Sequence, residues 1–267
     1  WERCWNRQKI YELMGFDEFI SFDNIKKYMD EDDIEYVRHY VSDRTSFKLV
    51  TDRLENKKPG EKMFLFNVTM QNHGGYTYDG GEFPTVTISN LQGHYKEAEQ
   101  YLSLIKESDK AFEELVRYLK NYDEPTIVVM FGDHQPAVEQ EFYEELYGKS
   151  LSKLSTEELQ QRYKIPFVIW ANYDIESQDD LKTSPNYLSD LLLDTANVPK
   201  NEIENFTSEV RNDVPQINAM GHYDSEGNWV SRDEDTSNAL DKYEAVEYYM
   251  LTRKENKDEK ENKDDKK

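Results

Sequence analysis

The sequence predicts an α/β fold with a largely parallel sheet flanked by helices. Short apolar runs at 62–70, 126–131 and 165–171 have the length and composition of buried strands. Helical spacing fills 95–119 and again 184–198. The resulting order is strand, helix, strand, then strand and helix, which suits a sheet whose strands are joined by helical crossovers.

Each element has its own justification. Residues 1–20, "WERCWNRQKIYELMGFDEFI", carry apolar positions at the spacing of a short helix ending near Gly15. Residues 22–58 are polar and acidic and read as largely irregular, with a helix around Thr45 to Asn56. "KMFLFNVTM", 62–70, follows the turn signal Pro59-Gly60 and reads as a buried strand. The glycine-rich "QNHGGYTYDGG" comes next, as the loop at that strand's carboxyl end. Tyr95, Ala98, Leu102, Ile105, Phe112, Leu115, Val116 and Leu119 recur at three- and four-residue spacing and predict the clearest helix, stopped by Pro125. "PTIVVMFGDHQP" then gives a strand over 126–131, and "IPFVIWA" a third over 165–171. "SPNYLSDLLLDTANV", 184–198, predicts a helix capped by Ser184 with proline at its first position.

Length and composition bound the rest. A chain of 267 residues suits one large domain or two small ones, and it reads as one domain over 1–250 followed by a charged tail, 251–267, expected to be disordered. Apolar residues at 37% and aromatics at 13% supply a substantial core. The net charge is −22. Lys254–Lys267 sets six lysines against six acids, so the imbalance lies in residues 1–253. A surface so acidic argues against a nucleic-acid partner, which needs a basic footprint. The single cysteine, Cys4, excludes an intramolecular disulfide. No segment reaches the roughly 18 apolar residues of a membrane span. There is no signal-peptide pattern. The chain starts with tryptophan, as expected of a processed product or an excised fragment.

Candidate site residues follow from strand ends. Open α/β sheets bind ligands beyond the carboxyl ends of their strands. Asp133 and His134 stand side by side where the second strand stops, and a carboxylate with an imidazole suits a divalent metal. The alternative is a capping aspartate beside a satisfied histidine. His73 occupies the loop after the first strand, and a parallel sheet would place it on the same edge. The alternative there is a loop histidine bonded to its own backbone. Trp5 and Arg7 offer an aromatic face and a guanidinium two residues apart, and a guanidinium recognises phosphate through two parallel hydrogen bonds. The alternative for this pair is surface packing.

With these residues in view, the chain resembles the lipoteichoic acid synthase family, phosphoglycerol transferases of the sulfatase/alkaline-phosphatase superfamily. "WNRQKIYELMGFDEF", "NVTMQNHGGY", "YLSLIKESDKAFEELVRYL", "PTIVVMFGDHQP", "IPFVIWANYDI", "SPNYLSDLLLDTANV" and "DKYEAVEYYML" carry the likeness, in order, over nearly the whole chain. The resemblance implies that Asp133 and His134 bind one catalytic divalent metal, usually manganese in this family, with magnesium or zinc as substitutes. It implies that His73 faces the phosphoglycerol group, as a catalytic and substrate-binding residue, and that Trp5 and Arg7 line the substrate pocket. The family's nucleophilic threonine, a glutamate ligand and a further histidine precede the "WNR" motif. They are therefore expected in an N-terminal segment of the same polypeptide, together with its membrane anchor, leaving this chain N-terminally incomplete.

The implied reaction moves glycerophosphate from a phosphatidylglycerol-type lipid head group to a glycan or glycolipid acceptor, through a covalent threonine intermediate. The implied place is the extracytoplasmic face of a bacterial membrane, and the fragment alone is expected to be soluble and inactive. Two alternatives use the same residues: a sulfatase or phosphodiesterase whose acceptor is water, and a non-catalytic module that binds glycerophosphate through Trp5 and Arg7.

Overall fold

The computed structural model describes residues 6–80, 83–235, 240–250 and 252. Trp5, and all of the predicted disordered tail except Thr252, lie outside the described residues. The chain divides into two compact units, Trp1–Glu124 with Pro136–Leu154, and Pro125–Gln135 with Ser155–Lys267.

The first unit holds α1 (Arg7–Met14), the strands β1 (Tyr36–Val37) and β2 (Tyr40–Val41), α2 (Asp43–Glu55), α3 (Lys96–Leu119) and α4 (Gln140–Tyr147). Helix α1 ends as its sequence predicts. Gly15 sits at φ 89°, in the left-handed region that glycine enters without a Cβ penalty, and its N–H donates to the last turn. Helix α2 begins two residues earlier than expected, because Ser42 caps it by accepting from the Thr45 N–H at 3.0 Å. Helices α2 and α3 pack together, burying Leu54, Leu104, Leu115 and Leu119. Two parallel hydrogen bonds from Arg44 to Glu114, each 2.9 Å, tie their exposed faces. A smaller apolar cluster of Ile25, Met29 and Ile34, joined by Val41 and Leu49, gives the polar stretch before α2 a core of its own.

Residues 62–70 depart from expectation, because they form no strand and are not buried. Phe64 is 69% exposed and Phe66 48%. An apolar run supplies strand propensity but not the neighbouring backbone that a ladder requires. Its aromatic rings instead meet the end of α1 and the residues after it, Phe66 against Tyr11 at 6.1 Å and Phe64 against Phe16 at 5.7 Å between centroids.

The second unit holds β3 (Ile127–Phe131), α5 (Thr156–Gln160), β4 (Phe167–Ala171), α6 (Leu188–Thr195), α7 (Glu202–Asp213) and the small strands β5 (Gln216–Asn218), β6 (Gly221–Tyr223) and β7 (Trp229–Ser231). Both long strands appear within two residues of their predicted limits. Their direction is a correction. β3 pairs β4 antiparallel, from Ile127 opposite Ala171 to Phe131 opposite Phe167. Every described ladder, β5–β6–β7 and β1–β2 included, is antiparallel where a largely parallel sheet was predicted. Strand spacing fixes side-chain faces, whereas direction depends on the path of the chain between strands. Both long strands are also half-buried and not fully enclosed.

Helix α6 is shorter than predicted, because Pro185–Tyr187 forms a separate 3-10 turn ahead of it. Ser184 does not cap it. Its hydroxyl accepts from Ile217 N at 2.6 Å and donates to Ile217 O at 3.0 Å, joining this turn to β5. Helices α6 and α7 are held by a charged cluster in which Lys200 and Arg211 straddle Asp190 and Asp194. Among the described residues no helix is long and apolar enough to cross a membrane.

Candidate functional site

Asp133 and His134 follow the last residue of β3 by two and three positions. Gly132 keeps the ladder going for one more bond, its N–H donating to Pro166 O at 3.2 Å. The backbone then turns, and the Asp133 carboxylate accepts from the His134 N–H at 2.9 Å. His134 Nδ1 lies 2.9 Å from Gln135 O. A carbonyl only accepts, so Nδ1 carries the proton, and in the neutral ring Nε2 keeps its lone pair. That nitrogen stands 3.6 Å from Asp133 Oδ2.

A lone pair on one ring nitrogen and a backbone carbonyl on the other is the arrangement that orients a metal-ligating histidine. Two ligands with bonds of about 2.1 Å to one tetrahedral ion stand about 3.4 Å apart, close to the observed separation. The side chains are 75% exposed for His134 and 87% for Asp133, so an ion reaches them without rearrangement. This pair fits a divalent metal. Among the described residues no third His, Cys, Asp or Glu joins it. Gln135 braces the turn by donating its side-chain amide to Lys164 O.

His73 belongs to the first unit, in the loop 71–78. The loop is built around a buried polar network. Gln71 accepts from Asp43 N at 3.0 Å and donates to Ser108 Oγ at 3.2 Å. Asn72 donates to the same hydroxyl at 2.7 Å, and Ser108 donates to Asp43 Oδ2 at 2.5 Å. Burial pushes the Asp43 carboxyl above the usual carboxylate range, against the opposing pull of the Ser108 hydrogen bond. Downstream, Gln100 of α3 fixes Tyr78, accepting from its N–H and donating to its carbonyl. The exposed His73 ring leans on Tyr40, with Nδ1 3.4 Å from the tyrosine hydroxyl.

Arg7 opens α1 and is half-buried. Among the described residues no hydrogen bond or ion pair is seen between Arg7 and the His73 loop. Asp133 and His134 are brought together; His73 and Arg7 are presented by separate elements of the other unit. Sequence reasoning missed Arg38 and Tyr40, which surround His73 from the β1–β2 hairpin. The signal was present in "YVRHYV", two identical Tyr-Val pairs about a two-residue turn.

The sequence profile of the family described as Sulfatase matches residues 1–198. A Rhizobium meliloti protein named for cyclic beta-1,2-glucan modification is 26% identical over 262 residues, covering 95% of this chain and 35% of its own length. The capsular polysaccharide biosynthesis protein RkpI of the same organism is 29% identical over 130 residues, covering 49% of this chain and 21% of its own length. The chain thus spans about a third or less of the curated relatives it matches. The structure of the Streptococcus pyogenes phosphoglycerol transferase GacH, in complex with sn-glycerol-1-phosphate, superposes with a TM-score of 0.61 at 22% identity. That match covers 80% of this chain and 52% of GacH, and it establishes a shared fold.

Proposed function

The chain belongs to the sulfatase family, and from that membership we propose that it serves a metal-dependent phosphoglycerol transferase resembling lipoteichoic acid synthase. The transferase would move glycerophosphate from a phosphatidylglycerol-type lipid to a glycan or glycolipid of the cell envelope, on the extracytoplasmic side of the membrane. The observation that carries this proposal is the Asp133–His134 pair, whose carboxylate oxygen and imidazole Nε2 stand 3.6 Å apart at the end of β3. Supporting the substrate class is the fold shared with GacH, a phosphoglycerol transferase captured with glycerol phosphate. Supporting a glycan acceptor are the relatives named for glucan modification and capsular polysaccharide biosynthesis.

Asp133 and His134 would hold one divalent ion, manganese by family usage, which when bound supplies positive charge to phosphoryl oxygens as a Lewis acid. His134 is pre-set for this role, because Nδ1–H donates to Gln135 O and leaves the Nε2 lone pair for a metal. Arg7 would bind phosphate oxygens through its planar fork, and Trp5 would line the same pocket. His73 would hold the proton of the oxygen that departs as diacylglycerol or arrives from the acceptor hydroxyl. One lipid P–O bond breaks and one acceptor P–O bond forms, with the acceptor proton passing to the departing oxygen by way of such a base. A threonine nucleophile and a glutamate ligand, implied by the family resemblance, would complete the site.

Diacylglycerol release from phosphatidylglycerol by the natural gene product, with and without a β-glucan acceptor, tests the proposal. Release that depends on the acceptor and places glycerophosphate on it is expected. Equal release without acceptor, ending in free glycerol phosphate, identifies the hydrolase instead. Binding of glycerol phosphate with no lipid turnover identifies the non-catalytic module.

A further inference from the structure

Arg38 is the first residue of the two-residue turn joining β1 and β2, at φ 57°. Residues without a Cβ, or with short polar side chains, occupy that region at lowest cost. Nothing in the turn requires an arginine. What an arginine adds is reach. Its Nη2 donates to Gln71 O at 2.6 Å and to His73 O at 2.8 Å, and its Nη1 donates to Gly75 O at 3.2 Å. Three carbonyls of "QNHGG" therefore converge on one guanidinium. Tyr40 and Tyr76 flank the cation at 5.3 Å and 5.7 Å from their ring centroids. The guanidinium has no carboxylate partner among the described residues, so its hydrogen bonding is directed at this loop. The hairpin that presents Arg38 also presents Tyr40, whose hydroxyl stands 3.4 Å from His73 Nδ1.

An unusual backbone conformation maintained at an arginine that organises a loop points to a use for that arginine. We infer that Arg38 is a positioning residue for His73: from a strained hairpin turn it gathers the carbonyls of Gln71, His73 and Gly75, while Tyr40 steadies the imidazole. This rests on His73 acting in the transfer proposed above. Asp43, Gln71 and Ser108 anchor the loop's first residue from the buried side, and Arg38 fixes the rest of it from the outer side.

The test uses Arg38→Ala, Arg38→Lys, Tyr40→Phe and His73→Ala in the natural gene product, with two readouts. Amide hydrogen exchange over residues 71–76 reports the clamp without reference to activity. The kcat and KM of diacylglycerol release, followed against pH, report its consequence. For Arg38→Ala, exchange over 71–76 should accelerate while the amides of α3 keep their protection. Its kcat should fall by up to about 10²-fold, the scale of a misplaced catalytic group, with KM little changed. Arg38→Lys should not rescue kcat, since one ammonium cannot reproduce a planar fork across three carbonyls. It also decides the matter should Arg38→Ala fail to fold. Tyr40→Phe, which removes the hydroxyl facing His73 Nδ1, should lower kcat with KM little changed. Unchanged exchange in Arg38→Ala overturns the clamp. Full kcat in Arg38→Ala or Arg38→Lys, beside an inactive His73→Ala, overturns the positioning role alone. A fully active His73→Ala overturns the assignment of His73 itself.

Discussion

Arg7 and His73 differ in what their loss should do, because they differ in how they are held. Arg7 is half-buried at the start of α1 and has no hydrogen bond or ion pair among the described residues. Truncating it leaves no partner among the described residues unsatisfied, so Arg7→Ala should fold normally. If its fork grips phosphate equally in the ground and transition states, Arg7→Ala raises KM and leaves kcat near its original value. His73 is exposed on a braced loop, and its removal should spare the fold too. A proton-handling role makes His73→Ala lower kcat by roughly 10²- to 10⁴-fold and removes one limb of the pH profile. Steady-state kinetics of the two variants separate binding from chemistry. Unaltered kinetics in both would return them to surface packing.

At the scale of elements, the junction of α2 and α3 is expected to show a pH dependence. Asp43 begins α2 in a buried site, and burial raises its carboxyl pKa in spite of the hydrogen bond from Ser108. The native state then holds this proton more firmly than the unfolded chain does. The associated stability is complete below the ordinary aspartate value of about 3.9 and is lost as pH rises through the raised native value. Asp43→Asn keeps an acceptor for Ser108 and carries no charge at any pH. The stability of Asp43→Asn relative to the parent, from urea denaturation, should therefore increase as pH rises from about 4 to 7. A difference that stays flat over that range would contradict a raised native pKa.

The same elements show what sequence alone could reveal. Helix α3 was legible because its apolar positions repeat through six turns or so, and α1 because Gly15 marks its end. The Asp133–His134 pair was legible because its two residues are adjacent and close a strand. Residues 62–70 misled, since apolar composition is common to a laddered strand and to a segment held by aromatic contacts. The direction of β3 against β4 was hidden because it depends on the route of the chain and not on the pattern within either strand. Arg38 escaped notice for a similar reason. Its partners are 33 to 37 positions away, and each strand of its hairpin is two residues long, too short to show a period.

At the scale of the whole molecule, a chain with a net charge of −22 is proposed to handle an anionic lipid head group. Its overall field opposes such a substrate, but at physiological salt exposed charges are screened beyond about 8 Å. Local cations must then do the binding, the role proposed for Arg7 and, separately, for an ion held by Asp133 and His134. The most direct test is the divalent-metal content of the natural gene product, measured with its transfer activity in the parent and in Asp133→Ala. One ion per chain is predicted, restored by manganese after chelation and lost together with transfer in Asp133→Ala. A metal-free preparation as active as the loaded protein, or an Asp133→Ala variant that retains both ion and activity, would contradict it.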